Sequence, residues 1–142
     1  MPQMTDDEAY AFIDRLPART AKLATVRKDG APHVAPIWVA LDGRDLVFNT
    51  GRDTLKGHAL RRDPRVSLCF DDDRPPFSFV IVEATVTISE DLDELVRWST
   101  IIGGRYMGPD QAERYGRRNG VPGELLVRAT PTRIVAARDI AD

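Results

Sequence analysis

Lys56 holds the position in this chain with the most chemical promise. It lies in the run DLVFNTGRDTLKGHALRRDPRVSLCFDD, residues 45–72. There a short apolar strand ends in a Gly-containing turn, a basic helical segment follows, and Asp63-Pro64 closes it before a second apolar strand. A lysine at a turn and helix start neutralises a phosphate while backbone N–H groups fix its oxygens. Thr50 and Thr54 add hydroxyls and Gly51 adds open backbone, so this strand end offers the donors that a phosphorylated cofactor takes. The same residues also suit a solvated helix with a capping hydroxyl. Arg52, Arg61 and Arg62 either contact an anionic tail or pair with neighbouring aspartates. His58 either hydrogen-bonds a phosphate or sits on the surface.

A second group of candidates surrounds Trp38. Its indole can stack near a planar ring, stabilise a dimer seam or simply pack. Alternation places His33 and Ala35 on one face with Ile37 unless Pro36 breaks the register. His33 is then a proton donor, a substrate-ordering group or a structural histidine. Tyr106 and Tyr115 are candidate pocket walls from the C-terminal half, whereas Phe77, Phe79 and Trp98 read as core or interface aromatics. The chain shows no obvious nucleophilic triad, although a Ser-His-Asp site can assemble in space from separated residues. Ser67 and Ser78 lack a base at readable spacing, and there is no G-x-S-x-G elbow. Asp71, Asp72 and Asp73 lack the spacing of a calcium loop and read as a solvated acidic turn. His33 and His58 without further ligands make no metal site. Cys69, the single cysteine, reads as a buried structural thiol.

The 142 residues predict one domain spanning 1–142. A net charge of −2 argues against a general nucleic-acid binder, and no segment is long and apolar enough for a membrane span. The acidic N-terminus carries no apolar signal region, so a cytoplasmic location is expected.

The positioning elements follow from local pattern. Residues 5–16 predict a helix with a capping box of Thr5 and Glu8, ended by Pro17. Residues 21–27, 32–41 and 45–49 predict a three-stranded meander around Asp29-Gly30 and Asp42-Gly43 turns. Pro32 and Pro36 mark the middle strand as an edge or as broken. Residues 53–62 predict a helix, 65–70 and 77–89 two strands, and 91–102 a helix that Gly103-Gly104 stops or bends. A short helix at 109–118 and a strand at 125–135, interrupted or at an edge near Pro131, complete the chain. Six strand candidates, mostly in hairpins, predict a mainly β, closed or partly closed antiparallel barrel with peripheral helices. A doubly wound sheet fits poorly, because the first three strands lack crossover helices.

Four segments carry a resemblance over nearly the whole chain: LATVRKDGAPHVAPIWVALDGRDLVFNT (23–50), TLKGHALRRDPRVSLCFDD (54–72), FSFVIVEATVTISED (77–91) and RYMGPDQAERYGRRNGVPGELLVRATPTRIVA (105–136). They resemble the pyridoxamine-phosphate-oxidase-like split-barrel superfamily, and within it the actinobacterial oxidoreductases that use the deazaflavin coenzyme F420. The stretch LRRDPRVSL is the most recognisable motif; Ala59, just before it, stands where many relatives have asparagine. The resemblance implies an antiparallel split β-barrel of the FMN-binding type. It further implies a homodimer with two cofactor sites at the subunit seam. Lys56 matches the lysine near the cofactor phosphate, and Thr50, Gly51, Thr54 and Leu55 fall on the strand and loop around it. Pro36, Ile37 and Trp38 match the strand beside the planar ring, and Arg61 falls within the motif. The implied chemistry is hydride transfer between F420 and a conjugated organic acceptor such as an enone, quinone or tetrapyrrole, in the reductive direction. Water, His33 or Tyr106 would supply the proton. An FMN-dependent oxidoreductase and a non-enzymatic F420- or FMN-binding carrier are the alternatives. The longer anionic tail of F420 calls for a basic groove leading outward from Lys56.

Overall fold

The computed structural model describes residues 2–142. Helix α1 (Asp6–Asp14) begins on the expected capping box. The Glu8 N–H donates to the Thr5 hydroxyl at 3.2 Å, and the Thr5 N–H donates to the Glu8 carboxylate at 3.0 Å. These bonds satisfy backbone donors that a helix start leaves open. Strands β1 (Ala21–Val26) and β2 (Pro32–Ile37) form a hairpin in which Gly30 takes a φ of 88°.

The expected meander and barrel are both corrected from this point. Residues 32–41 are not one strand: after β2 the chain crosses at Trp38-Val39 and starts β3 (Ala40–Asp42) at the opposite edge. β3 pairs with β4 (Asp45–Gly51), not with β2. Helix α2 (Leu55–Arg62) follows, then β5 (Arg65–Asp72) and β6 (Ser78–Ser89). Helices α3 (Leu92–Met107) and α4 (Ala112–Asn119) precede β7 (Glu124–Ala137). The seven strands form one antiparallel sheet ordered β2-β1-β5-β6-β7-β4-β3.

Among the described residues no ladder joins β2 to β3, so the sheet is open and the fold is mixed α/β rather than a closed barrel. The physical reason lies in the crossover. Pro32 and Pro36 have no N–H to donate. The Val39 N–H goes instead to the Tyr106 hydroxyl at 3.2 Å, and the Val39 carbonyl accepts from Arg105 Nε at 3.2 Å. Helix α3 thus takes the hydrogen-bonding groups of the link between the two edges.

Gly103-Gly104 also departs from expectation, because α3 runs through both glycines to Met107. Their missing side chains serve packing. A Cβ at position 103 would strike the Tyr115 side chain, one at 104 would lie 3.2 Å from Ala112 Cβ, and one at 116 would strike the Thr100 hydroxyl. The glycines are where α3 and α4 cross closely. Pro131 does mark an irregularity: the β6–β7 register passes from Glu83↔Arg133 to Ala84↔Pro131, leaving a bulge at Thr132.

Alternation along β4 separates two apolar layers. Leu46 and Phe48 enter the main core with Leu23, Phe70, Val82 and, from α1, Ile13. Val47 faces Leu95, Trp98 and Ile102 of α3. The buried Thr50 therefore points to the main-core side, and Asn49 to the side of α3. Among the described residues no helix is long and apolar enough to cross a membrane.

Candidate functional site

The β4–α2 turn is built largely from contacts within itself, with the Arg52 N–H donating to the Gly123 carbonyl at 2.8 Å to fasten it to the start of β7. Thr54 is the N-cap of α2, and its hydroxyl accepts the Gly57 N–H at 3.0 Å while donating to the Gly51 carbonyl at 2.8 Å. Its one proton is then committed, so at the 3.4 Å contact between Thr50 and Thr54 the donor is Thr50. Both predicted hydroxyls thus brace the turn. Gly57 lets the helix start sit directly on it, since a Cβ there would strike the carbonyl oxygens of Gly51 and Arg52.

Arg61 ties the far end of α2 back to the same turn. Its guanidinium donates to the Gly57 carbonyl at 3.3 Å and the Arg52 carbonyl at 2.8 Å. It also reaches His58 Nδ1 at 3.0 Å; arginine only donates, so Nδ1 is the acceptor. Arg62 donates to the Val26 carbonyl at 3.2 Å, fastening α2 to β1. Leu55 is exposed, and Ala59 is buried, with its methyl in the helix's packed face.

Lys56 stands apart from these bracing groups. It is half-buried on the first turn of α2, and among the described residues nothing hydrogen-bonds or ion-pairs with its ammonium. The N–H groups of Leu55 and Lys56, at the helix start, have no intrahelical carbonyl partner. None of Lys56, Arg61 and Arg62 meets a described carboxylate within ion-pair distance, whereas Arg52 is paired with Glu90 at 2.7 Å. Lys56 is therefore the cation beside the open backbone donors, while Arg61 and Arg62 are on the last turn of α2 with their guanidinium groups bonded to carbonyls.

The Trp38 region is assembled from distant parts of the chain. The indole stacks on Tyr106, with centroids 5.1 Å apart and planes 3° from parallel, and Tyr115 tilts against it at 5.7 Å. Trp38 lines an open cleft of about 260 Å³ with Asn49, Arg118, Asn119 and Glu124. Of the three predicted ring neighbours, only Trp38 reaches this cleft: Ile37 is buried in the main core and Pro36 is exposed on β2. The Tyr106 hydroxyl donates to the Arg19 carbonyl at 2.6 Å and accepts from Val39, so it braces the crossover. Arg105 adds bonds to Asp14 and to the carbonyl of Ile13. Lys56, Thr50 and Thr54 are not walls of this cleft.

Glu124 connects the two regions, and sequence reasoning missed it. It pairs with Gly51 in the β4–β7 ladder, and its Oε1 accepts from Asn49 Nδ2 at 3.1 Å. Burial pushes its carboxyl up from the ordinary glutamate range, outweighing the downward pull of Asn49 and Arg118. It follows a turn-rich stretch and carries no local motif, so only the β-ladder could have revealed its place.

The remaining candidates lie elsewhere. His33 faces Thr25 across β1 and β2, and both His33 Nδ1 and Thr25 Oγ1 are buried without a partner among the described residues. Cys69 is half-buried on β5, and burial raises its thiol. Asp71 and Asp72 belong to β5 rather than to a loop, and Asp72 anchors Arg15 at 3.0 Å and Arg19 at 3.4 Å.

An open antiparallel sheet flanked by a helical hairpin, with a cationic helix start and a separate aromatic cleft, is the architecture that the family match places among cofactor-binding, oxidoreductase-like proteins. The chain belongs to the pyridoxamine 5'-phosphate oxidase family, whose model matches residues 5–136. Among curated proteins none matches it in sequence. Of solved structures, it is similar to a conserved hypothetical protein from Mycobacterium tuberculosis, at 27% identity and a TM-score of 0.84, covering 98% of this chain and 89% of that one. It is also similar to an F420 reductase at 25% identity and a TM-score of 0.65, covering 81% of this chain and 87% of that one. A heme storage protein from Vibrio cholerae shares the fold at 17% identity, with a TM-score of 0.72 and coverage of 96% and 98%. The same fold thus serves a reductase and a storage protein.

Proposed function

We propose that this chain is an F420-dependent oxidoreductase that transfers a hydride between the deazaflavin and a conjugated organic molecule, acting as a reductase. The observation that carries this is Lys56, a half-buried residue on the first turn of α2 whose ammonium has no partner among the described residues. Together with the open N–H groups of Leu55 and Lys56, it fits a phosphate. Thr50, Gly51 and Thr54 hold that turn in shape, and Arg61 fastens the helix to it.

The bound deazaflavin would supply the hydride; this chain's residues bind and orient it. Trp38 is the wall for the planar ring, in the crossover that Pro36 and Ile37 lead into. Arg61, its guanidinium held on the Arg52 carbonyl of the same turn, adds a second cation there, and this favours the longer anionic tail of F420 over FMN. The similarity to an F420 reductase points the same way.

The site belongs at the seam of a homodimer in this proposal. Val34 and Val135 are exposed on the outer face of the sheet, which suits a second copy. The test is parallel fluorescence titration of the purified protein with F420 and FMN. Saturable, selective F420 binding is expected; FMN binding alone would move the chain to the flavin alternative, and binding of neither would overturn the cofactor assignment.

A further inference from the structure

The reductase proposal leaves the proton unassigned. Hydride addition to a conjugated carbonyl creates negative charge on the carbonyl oxygen, and an acid placed within hydrogen-bond reach of that oxygen lowers the barrier. Tyr106 is poorly placed for this, because its hydroxyl already donates to Arg19. His33 is not a wall of the Trp38 cleft.

Glu124 is a wall of that cleft, on the same side of the sheet as Asn49. Asn49 holds one carboxyl oxygen, Oε1, at 3.1 Å. No hydrogen bond to the other, Oε2, is found among the described residues; it lies beside Gly51, where an added Cβ would come within 3.3 Å of it. A larger residue than glycine at 51 would therefore crowd this oxygen. The charged group facing Glu124 is Arg118 from α4; Arg52, on the turn after β4, is paired with Glu90.

We propose that Glu124 is the acid of the Trp38 cleft: its carboxyl donates a hydrogen bond to the carbonyl oxygen of a conjugated acceptor and passes its proton to that oxygen as hydride arrives. This rests on the deazaflavin reading above. The electrons balance. The bound reduced deazaflavin would supply the hydride and with it the two electrons. A C–H bond forms on the acceptor as its double bonds shift, an O–H bond forms at the acceptor oxygen, and the Glu124 O–H bond breaks. Water then returns a proton to the carboxylate. The raised carboxyl agrees with this assignment, since burial favours its protonated form.

The test has two arms. In the first, carboxyl-labelled glutamate in the wild-type protein is titrated by NMR, with Glu124→Gln identifying the signal. Glu124 is expected to titrate above ordinary glutamates and to shift as F420 is added, at the stoichiometry reported by F420 fluorescence. In the second, menadione and cyclohexenone serve as acceptor probes with reduced F420. Glu124→Gln is expected to keep F420 affinity while turnover falls roughly 100-fold. Wild-type turnover should decline as pH rises through the Glu124 titration, and that limb should vanish in the variant. Ordinary titration of Glu124, a signal unmoved by bound F420, or equal turnover in the variant would each overturn the assignment while leaving F420 binding intact. Failure of the wild-type protein to bind F420 would overturn the cofactor reading, and this assignment with it.

Discussion

The β4–α2 turn and the Trp38 crossover lie on either side of Glu124, yet they are held in opposite ways. In the turn, Thr54 is bonded to residues three away and Arg61 to residues four and nine away. In the crossover, Val39 is held by Arg105 and Tyr106, 66 and 67 residues along the chain, and Tyr106 reaches Arg19 across 87. The turn is mainly a local unit, tied to the rest of the sheet through Gly51 and Arg52. The crossover exists only when α1, α3 and the sheet edges have come together. A phosphate seat on the first would survive partial opening of the second, whereas a ring wall at Trp38 would not.

The largest effect that sharpens this contrast is expected from Arg105→Ala. It removes bonds to the carbonyls of Val39, Asp14 and Ile13, and should cost about 3 kcal/mol of stability in urea unfolding. A loss below about 1 kcal/mol would mean that α3 does not anchor the crossover. Gly57→Ala tests the local unit. Its methyl meets two backbone carbonyls that cannot swing aside, and a loss of about 2 kcal/mol is expected. Unchanged stability would show that the turn relaxes freely.

Lys56→Ala should separate binding from folding. Loss of a charge-assisted contact of about 1.5–3 kcal/mol corresponds to at least roughly tenfold weaker cofactor binding. The unfolding midpoint should not move, because Lys56 has no described partner to lose; unchanged affinity would remove Lys56 from the site. The smallest effect concerns pH. Asp63, the C-cap of α2, is held down to about 2 by hydrogen bonds from the Arg65 side chain and N–H. A depressed carboxyl adds stability above the unfolded pKa of about 4 that disappears as pH falls through its folded value. Thermal unfolding of Asp63→Asn should therefore differ from wild type at pH 6 and converge with it near pH 2; a constant difference would contradict this coupling.

The same contrast governs what could be read from sequence. The Thr5–Glu8 capping box, the Asp29-Gly30 hairpin and the start of α2 depend on neighbours within one turn, and their residue types announce them. Gly103-Gly104 misled because local conformational cost suggests a stop, while the deciding contacts come from Tyr115 and Ala112. The strands showed in their alternation, but closure of the sheet depended on where Val39 sends its N–H and carbonyl. Trp38 stood out as an aromatic among prolines, and yet its cleft partner Glu124 has no signature. Asn49 meets it from 75 residues away, through a ladder that only folding creates.

The central claim is that the cationic start of α2 seats F420. Parallel fluorescence titration of the wild-type protein and Lys56→Ala with F420 and FMN tests it most directly. The account predicts saturable binding of F420 in preference to FMN, weakened at least about tenfold in the variant. Preferential FMN binding, or F420 binding of equal strength in both proteins, would contradict it.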